Sequence, residues 1–353
     1  MDDAEIAAGS FVSMKSENGV LNKLLTNVIG ANRTARLFQV LVIHPTIAED
    51  ERSQVSRAAL AQALNMLLFE DLAERVPAAK TYIDRCLSQN KTVMHDHGAV
   101  RTVALEGMGA LPAGQEAITR ILRPLGYALN GVYPLERLRM TGRSHAQVDY
   151  PEDIAQFFIS ELHPERFSPE FQQAVHQITS TSTNPVTAEA QSLLNKLEAD
   201  NSLSLEEATK LLPTLVSVFA RQHAEPTLAD YEILLAESAE MAWISTEGNA
   251  FNHATDRVAD VDQLAAELKA LGVSMKDAVE TSQSRRVRQT ATRAAMVQRT
   301  FRTPDGTIQK EVPGSFYEFI TRLPNPEQNN ALDLSFDSSN AQAIFKMTAN
   351  AKS

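Results

Sequence analysis

The sequence predicts an α+β protein in which two βαβββ modules join their strands into one curved sheet, with helices added before the first module and between the two. Three observations lead there. The texture of the 353-residue chain switches from helical periodicity to strand alternation near residue 91, back to helix near 164, and to strands again near 249. The two strand-rich stretches resemble each other in the order of their elements. Each holds one amphipathic helix ended by a Leu-Gly pair, Leu125-Gly126 in the first and Leu271-Gly272 in the second.

Residues 1–90 form an N-terminal helical region on this reading. LNKLLTNVI, RAALAQALNMLLFEDLAERV and AAKTYIDRCLSQ carry apolar residues three and four apart, and Pro77 sits where a first-turn proline is tolerated. The first β-rich module covers 91–163. TVMHDHGAVRTVAL alternates like a strand, AGQEAITRILRPLGY is its helix, and ALNGVYPL, RLRMTGRSHAQVDY and IAQFFISEL are further strands. A helical insertion follows over 164–248. One of its helices begins cleanly at SLSLEEATKLL, where Ser204 caps and Glu207 completes a capping box. The second module, 249–325, opens on FNHATDRV and continues through the helix DVDQLAAELKALGV to the strands KDAVETSQ, RVRQTATRAAMVQRTF and EVPGSFYEFI. Residues 326–353 are a polar tail.

Composition bounds the function. Hydrophobic residues are 43% and charged residues 22%, which suits an ordinary globular core. A net charge of -11 argues against a nucleic-acid partner, which needs a basic face, but permits an anionic small substrate, because local charge can oppose the global one. The single cysteine, Cys86, cannot form an internal disulfide and reads as a buried small hydrophobe. No stretch of 18 apolar residues predicts a membrane span, and the acidic start MDDAEIAAG carries no signal-peptide core, so a cytoplasmic location is expected.

The repeat carries the chemistry. The first module opens Asp96-His97-Gly98-Ala99-Val100-Arg101 and the second Asn252-His253-Ala254-Thr255-Asp256-Arg257: a small polar residue, a His, and an Arg four positions on. The last strand of each module carries a Glu, Glu161 in FFISEL and Glu318 in SFYEFI, 64 and 65 residues after the respective His. Alternate residues of a strand share a face, so His97 points with Ala99 and Arg101, His253 with Thr255 and Arg257, and Glu318 with Phe316 and Ile320. Two imidazoles and one carboxylate on one side of an ion form the facial triad that houses non-haem Fe(II), with open positions for a chelating 2-oxo acid and O2. Four ligands, with Glu161 added, would instead suit a closed-shell Lewis acid, as in an isomerase.

The remaining polar residues divide by context. Arg101 is either a sheet-edge ion pair or a fork for a substrate carboxylate. Arg257 is expected to pair with Asp256 or Asp260, and Glu161 to be structural or to stand behind the ligands. His95 shares the face of His97 in an ideal strand and leaves it if the strand bulges. His44, His163, His176 and His223 fall in helical or turn contexts and are read as structural; His145 is a candidate for lining the pocket. Gln289 and Thr290 face either solvent or the pocket.

At these residues the chain resembles a known family. VMHDHGAVRTV, GNAFNHATDRV and VPGSFYEFI are similar to the three signature segments of the 2-oxoadipate dioxygenase/decarboxylase (hydroxyglutarate synthase) family, which is related to the vicinal oxygen chelate enzymes. The resemblance covers roughly residues 90–320. It implies a vicinal-oxygen-chelate-like curved sheet and an Fe(II) site made by His97, His253 and Glu318. It also implies that Arg101 holds the substrate carboxylate and that a serine near the C-terminus helps to bind substrate. Ser338 and Ser339 of DSSNAQAIF are the nearest matches, Ser339 first. The implied reaction takes 2-oxoadipate and O2 to 2-hydroxyglutarate and CO2, a step of lysine breakdown.

Overall fold

A computed structural model describes residues 17–337. Its centre is one curled eight-stranded sheet, half of a barrel. In chain order the strands are β1 (Gln54–Ser56), β2 (His95–Val103), β3 (Tyr127–Leu135), β4 (Met140–Gln147), β5 (Gln156–Leu162), β6 (Ser202–Ser204), β7 (His253–Arg257), β8 (Glu280–Thr281), β9 (Val287–Ala291), β10 (Met296–Thr303), β11 (Gly306–Pro313) and β12 (Phe316–Arg322), followed by the short pair β13 (Pro324–Asn325) and β14 (Ala331–Leu332). The sheet runs β3-β4-β5-β2-β7-β12-β9-β8, so the second four strands mirror the first four. RVRQTATRAAMVQRTF, read as one strand, is two: β9 belongs to the sheet, whereas β10 leaves it to form a hairpin with β11.

The modules meet along β2 and β7, which pair antiparallel with Gly98 opposite Ala254 and His97 opposite Thr255. That register places a local twofold axis between Gly98 and Ala254, and the axis carries His97 onto His253 and Arg101 onto Arg257. Each outer partner is parallel, β5 on β2 with His97 beside Gln156, and β12 on β7 with His253 beside Phe316. The residue equivalent to Glu318 is therefore Phe158, not Glu161. The expected Glu pairing fails because Phe158 follows His97 by 61 residues whereas Glu318 follows His253 by 65. Glu161 lies opposite Thr102, on the other face of the sheet from His97 and Arg101. There its carboxylate accepts hydrogen bonds from Arg143 at 2.9 Å and from the Gln115 amide at 2.7 Å.

Helices cover the convex face. Val100, Phe157, Ile159, Ala254, Tyr317 and Phe319 point outward from the sheet into a core shared with the long helix Arg57–Arg75 and with Leu205–Ser217 from the insertion. The two helical regions are further tied by β1 pairing with β6, so they form one layer. Local signals account for the helix ends. Ser204 and Glu207 form the expected reciprocal cap on Leu205–Ser217, and Pro77 occupies the first turn of Pro77–Ser88. Gly272 takes a φ of +79° after Val261–Ala270, a conformation that an L side chain rarely adopts. Among the described residues no helix is long and apolar enough to cross a membrane.

Candidate metal centre

Burying apolar residues outward leaves polar ones on the concave face. His97, Ala99 and Arg101 of β2, Phe158 and Ser160 of β5, His253 of β7, Gln289 of β9 and Glu318 of β12 line one cavity of about 30 Å³ together with Asn252, Phe336 and Asp337. His97, His253 and Glu318 are all buried, and one donor atom from each lies within 4.8 Å of the others. Nε2 of His97 is 3.3 Å from one oxygen of Glu318, and Nε2 of His253 is 4.0 Å from the other. The imidazole rings stand nearly perpendicular, 86° apart.

Each imidazole is set by the residue before it. Nδ1 of His97 lies 2.8 Å from Oδ1 of Asp96, and Nδ1 of His253 lies 3.2 Å from Oδ1 of Asn252. An oxygen can only accept, so each ring places a hydrogen on Nδ1 and turns Nε2 toward Glu318. The polar-His dipeptide of the repeat is thus an orienting pair in both modules.

Charge in the site is tightly coupled. Burial opposes a charged His97, yet its hydrogen bonds to Asp96 and Glu318 outweigh that and hold its pKa above the ordinary imidazole range. Burial presses His253 down to about 3, against the pull of Glu318 and with the help of His97 and Arg101. Burial alone would push Glu318 up, but His253 and His97 hold it below the usual carboxylate range. Thr255 donates to Oε1 of Glu318 at 3.1 Å, whereas the buried Oε2 has no hydrogen-bond partner among the described residues. An unsatisfied buried carboxylate oxygen beside two imidazole Nε2 atoms fits a divalent cation, which would take the place of the proton between His97 and Glu318.

A bulge organises the next layer. The β2–β7 register shifts between His95 and His97. His95 is thereby turned to the helical side, 5.4 Å from the Phe69 ring, and is no ligand candidate. Asp96 meets Arg257 at 2.6 Å and Arg322 at 2.9 Å, and these guanidinium groups overcome burial to keep it well below the ordinary carboxylate range. The partner of Arg257 is therefore Asp96, not Asp256 or Asp260. Arg101, its equivalent across the twofold, lies in the cavity with its guanidinium 4.8 Å from the Trp243 ring, and burial lowers its pKa to about 10.

The other histidines follow their contexts. His44 accepts from the amide of Thr46, Nε2 of His163 is 2.8 Å from Thr141, and Nε2 of His223 meets the carbonyl of Ser245. His145 pairs with Phe157 on the outward face and does not line the cavity. Gln289 lines it, whereas Thr290, next in the strand, points the other way. Ser338 and Ser339 lie outside the described residues. Sequence reasoning passed over Asp96, Asn252, Arg322 and Phe336. The first two were visible as the polar residue before each His; the last two were not, because only tertiary contacts bring them to the site.

Residues 57–343 match the family model described as 2-oxoadipate dioxygenase/decarboxylase. A curated relative from Arabidopsis thaliana, the chloroplastic 2-oxoadipate dioxygenase/decarboxylase, is 22% identical over 97% of this chain and 90% of its own length. Among solved structures, a glyoxalase superfamily protein from Ralstonia eutropha JMP134 is 52% identical, with a TM-score of 0.86 over 90% of this chain and 98% of that one. The hydroxyglutarate synthase of Oryza sativa, solved in complex with 2-oxoadipate, shares the fold at 19% identity and a TM-score of 0.65, covering 83% of this chain and 93% of its own.

Proposed function

The chain belongs to the 2-oxoadipate dioxygenase/decarboxylase family, and from that premise we propose that it is an Fe(II)-dependent oxygenase taking 2-oxoadipate and O2 to 2-hydroxyglutarate and CO2, a step of lysine breakdown in the cytoplasm. The observation that carries the reading is the buried His97, His253 and Glu318 cluster, with its donor atoms within 4.8 Å, in the same cavity as Arg101.

In this reading His97, His253 and Glu318 hold the ion on one side. Fe(II) bound there supplies chelation of a 2-oxo acid and activation of O2. The protein's own residues do the rest. Asp96 and Asn252 fix the ring hydrogens away from the ion. Arg101 takes the distal carboxylate of the diacid, its plane steadied by Trp243. Arg101 lies four positions along the strand from His97, about 13 Å between Cα atoms at the usual rise. Both side chains line the same cavity. Phe158 and Phe336 exclude water from the reacting carbons. The reaction balances without another reductant: the substrate loses one carbon as CO2, and both atoms of O2 are retained in the products.

Glu161 faces away from the cluster, which removes support from the four-ligand Lewis-acid alternative. The test is anaerobic reconstitution with Fe(II), then exposure to O2 with 2-oxoadipate. Equal yields of CO2 and 2-hydroxyglutarate are expected; no O2 uptake would sink the oxygenase reading. His253→Ala should stay folded and retain no divalent ion.

A further inference from the structure

The segment Asp333–Asp337 crosses the open side of the half-barrel. On its first-module side, the amide of Phe336 donates to the Tyr133 hydroxyl at 3.1 Å, and Asn130 and Gln156 donate to the carbonyl of Leu334. On its second-module side, Asp333 accepts from Arg286 at 3.0 Å and Asp337 from the amide of Gln283 at 3.0 Å. The ring of Phe336 stands edge-on to His97 at 4.8 Å and packs on Phe158 at 4.9 Å. With the segment in place, the cavity of about 30 Å³ has room for one or two water molecules. Small-molecule sites ordinarily offer a few hundred Å³. A diacid enters only when this strap moves.

One side chain joins the strap to the metal ligands. Arg322, the last residue of β12, is fully buried. Its Nε and Nη2 donate to Asp96 at 2.9–3.1 Å, and Asp96 orients His97. Its Nη1 donates at 2.8 Å both to the carbonyl of Asp333 and to that of Ser335. The guanidinium also lies 4.9 Å from the Phe336 ring. A planar fork can serve both partners at once; an ammonium group cannot.

We propose that Arg322 is a positioning residue that latches the strap Asp333–Asp337 over the cavity and, through Asp96, couples strap closure to the orientation of His97. The inference rests on the reading of His97, His253 and Glu318 as metal ligands. Coupling is reciprocal, so an ion that fixes His97 must also tighten the strap.

The test uses the full chain, Co(II) as an oxygen-stable probe ion, and amide hydrogen exchange of the peptide containing 333–337. In the wild type, Co(II) should slow exchange of that peptide. In Arg322→Lys the peptide should exchange at least about tenfold faster and no longer respond to Co(II), with Co(II) affinity reduced about 10- to 100-fold. Phe336→Ala leaves Arg322 and Asp96 in place; its strap should exchange faster yet still be slowed by Co(II). The proposal is overturned if Arg322→Lys keeps the wild-type exchange rate or its Co(II) response. It is equally overturned if Phe336→Ala alone abolishes that response, because the ring contact and not the guanidinium then carries the coupling. Should Arg322→Lys fail to fold, the Phe336→Ala result decides. A wild type that takes up no Co(II) would defeat the metal reading, and the latch is then judged on metal-free exchange, which Arg322→Lys must raise.

Discussion

Two buried side chains on opposite faces of the sheet show how placement sets chemistry. Arg101 is a cation held in the cavity against Trp243. If it binds the distal carboxylate, Arg101→Ala should raise KM for dicarboxylic 2-oxo acids about 10-fold or more, the loss of a charge-assisted pair, and change KM for monocarboxylic ones far less. Steady-state kinetics with both classes measures this, and equal effects would make Arg101 structural. Asp256 lies behind the sheet, accepting from the Tyr82 hydroxyl at 2.6 Å and from the amide of Met94 at 2.9 Å. Burial raises its pKa to about 7, against the lowering effect of these donors. The native state therefore keeps a proton that the unfolded chain loses near pH 4. Stability from this group is complete below that pH and falls by about 1.4 kcal/mol per unit until pH 7 is passed. Asp256→Asn, a neutral isostere, should flatten that part of the stability curve in denaturant titrations between pH 5 and 7.

Elements were legible where one residue face has one job. β2 and β7 were readable because alternation, a repeated His and a repeated Arg all fall on them. The bulge at His95 was not, since an extra residue leaves no mark in hydropathy; it is what turns His95 outward and gives Asp96 to Arg257 and Arg322. The register of β5 was also hidden. A Glu at nearly matched spacing suggested a twin for Glu318, but a three-residue offset puts Glu161 on the wrong face. Gly98 is a constraint at this scale. It sits at the module seam, where a Cβ would come within 2.2 Å of the buried Phe251 ring. Gly98→Ala should destabilise the fold by about 1–3 kcal/mol through overpacking. A thermal or denaturant midpoint unchanged from wild type would mean that the ring yields.

At the scale of the molecule, the duplication was readable and its assembly was not. Two βαβββ patterns predict two half-sheets, but nothing local says that their first strands pair antiparallel. Nor does any local signal say that two helical stretches far apart in sequence share one layer, or that residues 333–337 return across the open side. The resemblance to a family pointed to the residues of the His97, His253 and Glu318 cluster because its motifs sit on the strands themselves; it gave no view of Arg322.

Phe158 occupies the place that Glu318 fills in the other module, so a scaffold with near-twofold order surrounds a centre that has none. Such a centre has a hand. If, as proposed, Arg101 grips one end of a diacid and the His97, His253 and Glu318 cluster holds the other, the diacid always offers the same side of its prochiral methylene. The 2-hydroxyglutarate formed should then be a single enantiomer, which chiral chromatography would reveal; a racemate would mean that the substrate tumbles between its two anchors.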